Sequence, residues 1–190
     1  MNKNILITGG AGYIGSHISE ILIKTKKNII IVDNLSTGYK KLIHPKAKFY
    51  KVNILNKKKI QTILLKHKVD SVIHLAGSLI IETGEKNPVF YKKNNVLGTK
   101  NLLHACEKTN VKNFIFSSTA AVYKDGATYV SEKSPMYPKS IYGKTKLSAE
   151  KLIIKICKKN NINYGILRYF NIVGSSPSGK IGLINTSDHL

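Results

Sequence analysis

The chain has 190 residues, of which 42% are hydrophobic and 22% charged, which suits one globular domain and is short for two. Its net charge of +21 suggests nucleic-acid binding. However, only Arg168 of the 31 basic residues is an arginine, the side chain best suited to bidentate contacts with phosphates and bases. We therefore expect solvated lysine-rich faces and no specific nucleic-acid partner.

Short β-branched runs alternate with helical segments along the chain. Strands are predicted at 4–8, 28–33, 48–52, 71–75, 113–117 and 164–169, and helices at 13–24, 56–66, 88–108 and 139–159. The strands are continuously apolar, as expected when helices cover both faces of a sheet. The alternation predicts an α/β fold with a doubly wound, mostly parallel sheet. Ligands of such sheets bind beyond the carboxyl ends of the strands.

The first strand leads into a glycine-rich turn and then a helix. Gly10, Gly12 and Gly15 fit a G-x-G-x-x-G pattern, and Gly9, Gly12 and Gly15 fit an overlapping one. Glycines there permit a tight turn, a close approach of backbone to phosphate and close packing of helix on strand. The start of the following helix offers unpaired N–H groups to an anion. The turn predicts a site for the pyrophosphate of a dinucleotide, although a simple strand–helix turn would give the same pattern.

Asp33 ends the second predicted strand. A carboxylate at this place can accept hydrogen bonds from the ribose hydroxyls of adenosine, and it repels a 2′-phosphate. Together with the glycine turn, it predicts NAD binding and favours NAD over NADP.

Hydroxyl side chains follow the fifth strand, at Ser117, Ser118 and Thr119, and Tyr142 lies four residues before Lys146. The hydroxyls would either cap backbone groups or bind a substrate oxygen. Positions i and i+4 share a helix face, so the tyrosine and lysine can meet one ligand. A phenol, with a pKa near ~10, needs a downward shift of about three units (roughly 4 kcal/mol) to act as a base near neutrality. One cation about 4 Å away supplies roughly that much.

The cysteines and the start of the chain bear on the compartment. Cys106 and Cys157 lie in predicted helices without metal-ligand spacing or a CxxC pair, so we expect free thiols and no metal site. The chain enters its first strand at once, which leaves no room for a signal peptide, and no apolar run reaches membrane-spanning length. These features predict a cytoplasmic protein without a membrane segment.

Seven segments carry a resemblance to a known family. They are TGGAGYIGSH (8–17), VDNLSTG (32–38), HLAG (74–77), NNVLGT (94–99), VKNFIFSSTAAVY (111–123), YGKTK (142–146) and LRYFNIVG (167–174). In this order they resemble the extended short-chain dehydrogenases/reductases, and among these the UDP-glucose 4-epimerases. The resemblance covers nearly the whole chain and implies a Rossmann fold that binds NAD.

The resemblance also implies roles for individual residues. Tyr142 would be the catalytic acid and base, Lys146 would hold the nicotinamide ribose and lower the pKa of that tyrosine, and Thr119 would be the catalytic hydroxyl. A UDP-sugar would contact Thr119, Tyr142 and Asn171. The implied NAD-binding residues are Gly9, Gly12, Tyr13, Ile14 and Gly15 at the pyrophosphate, Asp33, Asn34, Leu35, Ser36, Thr37 and Gly38 at the adenosine ribose, Asn53 and Ile54 at the adenine, and Leu75, Ala76, Gly77, Asn94, Tyr142, Lys146 and Phe170 further along.

The implied reaction is a redox epimerisation. The tyrosine removes the proton of the 4-hydroxyl while hydride passes from C4 of the sugar to NAD⁺. The resulting 4-keto sugar turns over, and the hydride returns to its opposite face.

Some positions depart from the family pattern. Asn53 stands where an aspartate is usual near the adenine, Leu79 replaces a common lysine, and Lys124 replaces a common glycine. Ala120 and Ala121 stand where a nucleotide-sugar dehydratase would need an acid pair, which disfavours that reaction. The alternatives that remain are another UDP-sugar 4-epimerase and a non-catalytic NAD-binding remnant.

The resemblance finally bears on organisation. The chain stops roughly where the family's substrate domain begins, so we expect part of a longer protein, with little epimerase activity by itself. Residues 1–174 would be the NAD-binding domain and 175–190 the start of the substrate-binding region. The full-length protein would be a homodimer that pairs the predicted helices 88–108 and 139–159.

Overall fold

The computed structural model describes residues 3–126 and 129–184. Its six strands are β1 (Asn4–Thr8), β2 (Asn28–Asp33), β3 (Lys48–Lys51), β4 (Ser71–His74), β5 (Asn113–Thr119) and β6 (Asn163–Tyr169). They form one sheet in the order β3-β2-β1-β4-β5-β6, with every neighbouring pair parallel. This is the strand order of doubly wound dinucleotide-binding sheets, so the predicted Rossmann-type α/β fold is confirmed.

The helices are α1 (Tyr13–Lys24), α2 (Lys57–Lys66), α3 (Ile81–Lys86), α4 (Pro88–Tyr91), a π-helical turn (Lys92–Leu97), α5 (Gly98–Lys108) and α6 (Ile141–Lys159), with 3₁₀ turns at Lys40–Leu42 and Ala120–Val122. Helices α2 and α6 begin slightly later than predicted because Asn56 and Ser140 are N-caps. Their side chains accept from the N–H groups of Lys59 and Gly143 at 3.1 and 3.0 Å. Helix α3 and the 3₁₀ turns were not predicted, since such short elements have no readable period.

The predicted helix 88–108 is divided by the π-helical turn. Within that turn Asn95 is buried, and its side-chain amide donates to Ser78 O at 2.9 Å and to Thr145 Oγ1 at 3.1 Å. Its Oδ1 accepts from the Ser78 N–H at 2.7 Å. An interrupted helical ladder of this kind often marks a functional site, and here it joins the turn after β4 to helix α6.

The core has two layers, one on each side of the sheet. Helices α2, α5 and α6 cover one face, where Leu102, Phe114 and Ile153 are fully buried. Helix α1 packs on the other face against β1, β2 and β4. On the α1 side of β5 and β6, Ile115 and Leu167 remain 38% and 43% exposed, so among the described residues the helices cover this part of the sheet only partly.

The strand order reverses between β1 and β4, and ligands of open α/β sheets bind beyond the carboxyl ends of the strands at that point. The turns after β1 and β4 therefore mark the place to look for a site. Among the helices described, none has the length and apolar character needed to cross a bilayer.

Candidate active site

The turn after β1 depends on close backbone approaches. Gly9 has a positive φ of 72°, and a Cβ there would lie 2.7 Å from Ala76 N. A Cβ at Gly15 would lie 2.7 Å from the Cα of Gly10. Helix α1 begins after Gly12 with no side chain capping it in the described structure. The backbone N–H groups at this helix start, including those of Tyr13 and Ile14, are therefore suited to bind an anion.

The loop after β2 packs against this glycine turn. Asp33 is 8% exposed, and its two carboxylate oxygens accept from the N–H groups of Ala11 at 3.0 Å and Leu35 at 2.8 Å. The N–H of Tyr39 donates to Ala11 O at 2.9 Å, which closes the loop that holds the other predicted ribose residues, Asn34, Ser36, Thr37 and Gly38. A carboxylate has about four acceptor positions, so Asp33 retains capacity for ligand hydroxyls beside the turn.

The turn after β4 lies on the other side of the glycine turn. The N–H groups of Leu75 and Ala76 donate to Thr8, to its carbonyl at 3.0 Å and its hydroxyl at 3.3 Å. A Cβ at Gly77 would lie 3.8 Å from Lys146 Nζ. The Asn94 amide donates to Ser78 Oγ at 2.8 Å. The structure thus brings Asn94 and Lys146 close to the predicted cofactor-binding residues of this turn.

A buried histidine beneath this turn was not predicted as a site residue. Thr99 Oγ1 donates to Asn95 O at 2.6 Å, so it accepts from His74 Nε2–H at 2.8 Å. His74 Nδ1 then accepts the Thr8 hydroxyl at 2.7 Å. Burial, with a smaller contribution from the Lys146 charge, lowers the pKa of His74 to about 3. The neutral ring therefore ties the ends of β1 and β4 to the π-helical turn.

Lys146 is nearly enclosed, with 5% exposure, and its ammonium lies 4.5 Å from the centre of the Phe116 ring. Burial lowers the pKa of Lys146 to about 8, and the Glu150 carboxylate opposes this shift. The ammonium group forms none of the ion pairs found among the described residues. It is therefore an enclosed cation that a ligand could engage beside Gly77.

Tyr142 is half-buried one helical turn before Lys146. Burial raises its pKa, the Thr119 hydroxyl opposes this rise, and Tyr91 adds to it. The Lys146 ammonium is not among the groups that shift this pKa. In the chain by itself the phenol is therefore neutral at pH 7, and the lowering of its pKa by the lysine stays a prediction for the site with its cofactor.

The start of α6 lies close to the end of β5 because residue 143 is a glycine. A Cβ at Gly143 would overlap the carbonyl oxygen of Ala121 and lie 2.9 Å from Pro138 Cβ. This approach places Tyr142 beside Thr119. The Thr119 hydroxyl accepts from the Ala121 N–H at 3.1 Å, so it caps the backbone, which is one of the two roles considered for these hydroxyls. This bond uses only its oxygen, so its proton can still be donated.

The remaining predicted residues contribute differently. Asn53 is exposed, and its side chain accepts from the Leu55 N–H at 2.8 Å. Ile54 is buried against Gly98, where a Cβ would lie 2.5 Å from Ile54 Cδ1, so its side chain serves the core and only its backbone can face a ligand. Phe170 and Asn171 follow β6 and are exposed, the former by 70%.

Sequence reasoning also missed a buried ion pair behind the site. Arg168 donates to Glu150 from Nη2 at 2.8 Å and from Nε at 3.1 Å, and the carboxylate is nearly inaccessible. The only signal in the sequence was that one arginine stands among so many lysines.

Comparison with known proteins agrees with this geometry. The sequence profile of the NAD dependent epimerase/dehydratase family matches residues 5–186. The UDP-glucose 4-epimerase of Lactobacillus helveticus is 40% identical over 179 residues, which are 94% of this chain and 54% of that protein. The enzyme of the same name, uge1, from Schizosaccharomyces pombe is 37% identical over 191 residues, covering 94% of this chain and 54% of the relative.

Solved structures give the same result. UDP-glucose 4-epimerase from Brucella ovis in complex with NAD has a TM-score of 0.91 and 35% identity, covering 95% of this chain and 55% of that one. The enzyme of Thermotoga maritima with UDP-glucose has a TM-score of 0.88 and 35% identity, covering 94% and 60%. The chain thus spans about half the length of the curated relatives it matches.

We expect Gly143→Ala to destabilise the chain by about 1–3 kcal/mol, because the added Cβ overlaps backbone that cannot turn aside. Gly165→Ala, in β6, is the matched control: nothing lies within 4 Å of its added Cβ, so its effect should stay within about 0.5 kcal/mol. Urea unfolding measures both. Equal stability of the two variants would contradict the close approach of α6 to Ala121.

Proposed function

This chain belongs to the NAD dependent epimerase/dehydratase family, and we propose that it is the NAD-binding part of a UDP-sugar 4-epimerase that interconverts UDP-glucose and UDP-galactose. Residues 1–174 would form the NAD-binding domain, and residues 175–190 would begin the substrate-binding region. The observation that carries this proposal is the position of Tyr142, Lys146 and Thr119 beside the turns that follow β1 and β4.

The residues at these turns fit NAD. The uncapped start of α1 offers backbone N–H groups to the pyrophosphate. The turn before it can be this tight only with glycines, because a Cβ at Gly9 or Gly15 would meet backbone. Asp33 is placed for the adenosine ribose and would repel a 2′-phosphate. The enclosed Lys146 ammonium lies near Gly77 and can donate to the hydroxyls of the second ribose. When bound, NAD supplies the acceptor and donor of hydride at C4 of the sugar, and its oxidised ring adds a positive charge.

Tyr142 would carry the proton. Its phenol exchanges a proton with O4 of the sugar, and the Thr119 hydroxyl donates a hydrogen bond to the same oxygen. Burial, with a smaller contribution from Tyr91, raises the pKa of Tyr142 above its ordinary value, which is already too high for a base near neutrality. The phenolate therefore needs nearby positive charge, and Lys146 is the residue of this chain that can contribute it.

The departures from the family pattern at Asn53, Leu79 and Lys124 support a second candidate, an NAD-binding chain without turnover. The two candidates share the cofactor site and differ in whether the tyrosine becomes a working base. A different UDP-sugar is the other alternative, because the groups that would select the sugar belong mainly to the part of the relatives that this chain does not span.

We expect the chain to bind NADH at least about tenfold more tightly than NADPH, because the Asp33 carboxylate accepts from ribose hydroxyls and repels a phosphate. In Asp33→Asn the preference should shrink, since the repulsion is lost while the side-chain shape is kept. Fluorescence titration with each nucleotide measures this. Glu82→Gln, an exposed acid-to-amide change, is the control. Equal affinity of the unaltered chain for both nucleotides, or no binding, would contradict the NAD assignment.

A chimaera tests turnover. We expect residues 1–174 of this chain, joined to the C-terminal part of the Lactobacillus helveticus relative, to convert UDP-galactose to UDP-glucose. Tyr142→Phe in the chimaera should lower kcat by about 10²–10⁴-fold while NADH binding persists. A chimaera that binds NADH and turns over none of a panel of UDP-sugars, while the intact relative is active, would favour the non-catalytic candidate. Preference for another UDP-sugar would correct the substrate.

We also propose that the longer protein is a homodimer through the outer faces of α4 to α6. Phe90 and Leu97 are 49% and 43% exposed there. Exposed lysines share this surface, among them Lys93, Lys100, Lys144, Lys151 and Lys155. Because these charges repel across a twofold axis and salt screens them, dimers of the chimaera should be tighter at high salt. Sedimentation equilibrium of the chimaera and of its Leu97→Glu variant checks this; equal dimerisation of the two would place the interface elsewhere.

A further inference from the structure

Arg168 connects four parts of the structure behind the site. From β6 its guanidinium donates to Glu150 on α6, to the Tyr123 hydroxyl at 2.9 Å and to the Met136 sulfur at 3.0 Å. Its carbon centre lies 5.1 Å from the Tyr123 ring centre. A lysine could not make these contacts together, because they need a planar fork of several donors. The one arginine of the chain therefore stands at a position whose contacts a lysine could not reproduce.

Both oxygens of the Glu150 carboxylate are engaged by these neighbours. Oε1 accepts from Arg168 Nε at 3.1 Å and from the Ser118 hydroxyl, and Oε2 accepts from Arg168 Nη2 at 2.8 Å. The carboxylate side chain is 2% exposed and that of the arginine 17%. Burial and these bonds therefore fix the position of the negative charge.

Lys146 precedes Glu150 by one turn of α6. Side chains at i and i+4 with opposite charges ordinarily pair on a helix, and burial of both residues would favour such a pair further. Yet the two are not paired in the part of the chain described. Arg168 and Ser118 take three of the about four acceptor positions of the carboxylate and hold it where it lies.

We propose that Arg168 and Ser118 hold Glu150 away from Lys146, so that the carboxylate keeps the lysine charged from a distance while its ammonium stays free for the ribose of the dinucleotide. The proposal rests on the proposed NAD site. Arg168 and Glu150 are positioning residues, since they act on the ligand only through Lys146. A direct Lys146–Glu150 pair would compete with the ligand for the donors of the ammonium.

Other groups facing Lys146 do not replace Glu150. On β4, His74 is neutral because burial lowers its pKa to about 3. From β5 the Phe116 ring contributes only its π face. On α6 itself, Tyr142 is neutral because burial raises its pKa, and the charge of Arg168 on β6 is paired with Glu150. Glu150 is therefore the negative charge that supports the ammonium.

Two variants should move the pKa of Lys146 in opposite directions. Glu150→Gln removes the supporting charge, so the pKa should fall from about 8 by about one pH unit. Arg168→Lys keeps the positive charge but loses the fork, so Glu150 is free to pair with Lys146 and the pKa should rise by about one pH unit. NMR titration of ¹³Cε-labelled lysines follows these shifts, with Lys146→Met identifying the signal.

NADH affinity across pH gives the second measurement. At pH 6 the NADH affinity of Glu150→Gln should match that of the unaltered chain. Between pH 6 and pH 8 the affinity of this variant should fall about tenfold, because its lysine loses the proton at a lower pH. In Arg168→Lys, affinity should fall throughout this range, because the ammonium is captured. Glu82→Gln, in the exposed Lys86–Glu82 pair, is the control and should change neither measurement.

The outcomes separate the two proposals. If the unaltered chain fails to bind NADH, the proposed function fails, while the NMR titration still tests the charge relation. If NADH binds but the pKa of Lys146 is unchanged in both variants, or moves the same way in both, the inference is overturned. Should Glu150→Gln not fold because it leaves a buried unpaired arginine, Glu150→Gln/Arg168→Met removes that charge and should place the pKa of Lys146 below that of the unaltered chain.

Discussion

Three close approaches of main chain to main chain build the carboxyl edge of this sheet, and each requires a glycine. Gly9 lies against the turn after β4, Gly15 against the turn after β1, and Gly143 against the carbonyl of Ala121. A methyl group at any of them would meet backbone, which cannot move aside as a flexible side chain can. The glycine turn, the loop at Asp33 and the start of α6 can therefore converge on one edge.

The charged side chains at this edge are buried, whereas most charged side chains elsewhere in the chain are solvated. Most lysines lie on the surface, where water solvates them, and with 31 basic and 10 acidic residues most of them have no acid to pair with. Lys146 is enclosed instead, and burial lowers its pKa to about 8. Two of the buried acids, Asp33 and Glu150, lie at or behind the site and are held by hydrogen bonds.

Buried polar groups also make the site rigid. Thr8, His74, Thr99 and Asn95 form a hydrogen-bonded row in which each proton has one acceptor. Since an unpaired polar group inside a protein costs about 1–3 kcal/mol, the row fixes the neutral state of His74 and the place of the π-helical turn. The turn after β4 rests on this row, beside the Lys146 ammonium.

The amino-acid sequence by itself determined the alternation of strands and helices, the glycine turn, the carboxylate at the end of β2 and the tyrosine–lysine spacing, because each depends on residues close together in the chain. Only the tertiary structure decided which side chains share a buried space. The Asn95 amide lies where a predicted continuous helix is divided, Ile54 turns into the core, and burial raises the pKa of Tyr142 in the chain by itself. The Arg168–Glu150 pair joins β6 to α6. Burial and such long-range pairing depend on how strands and helices pack, which no local pattern of residues specifies.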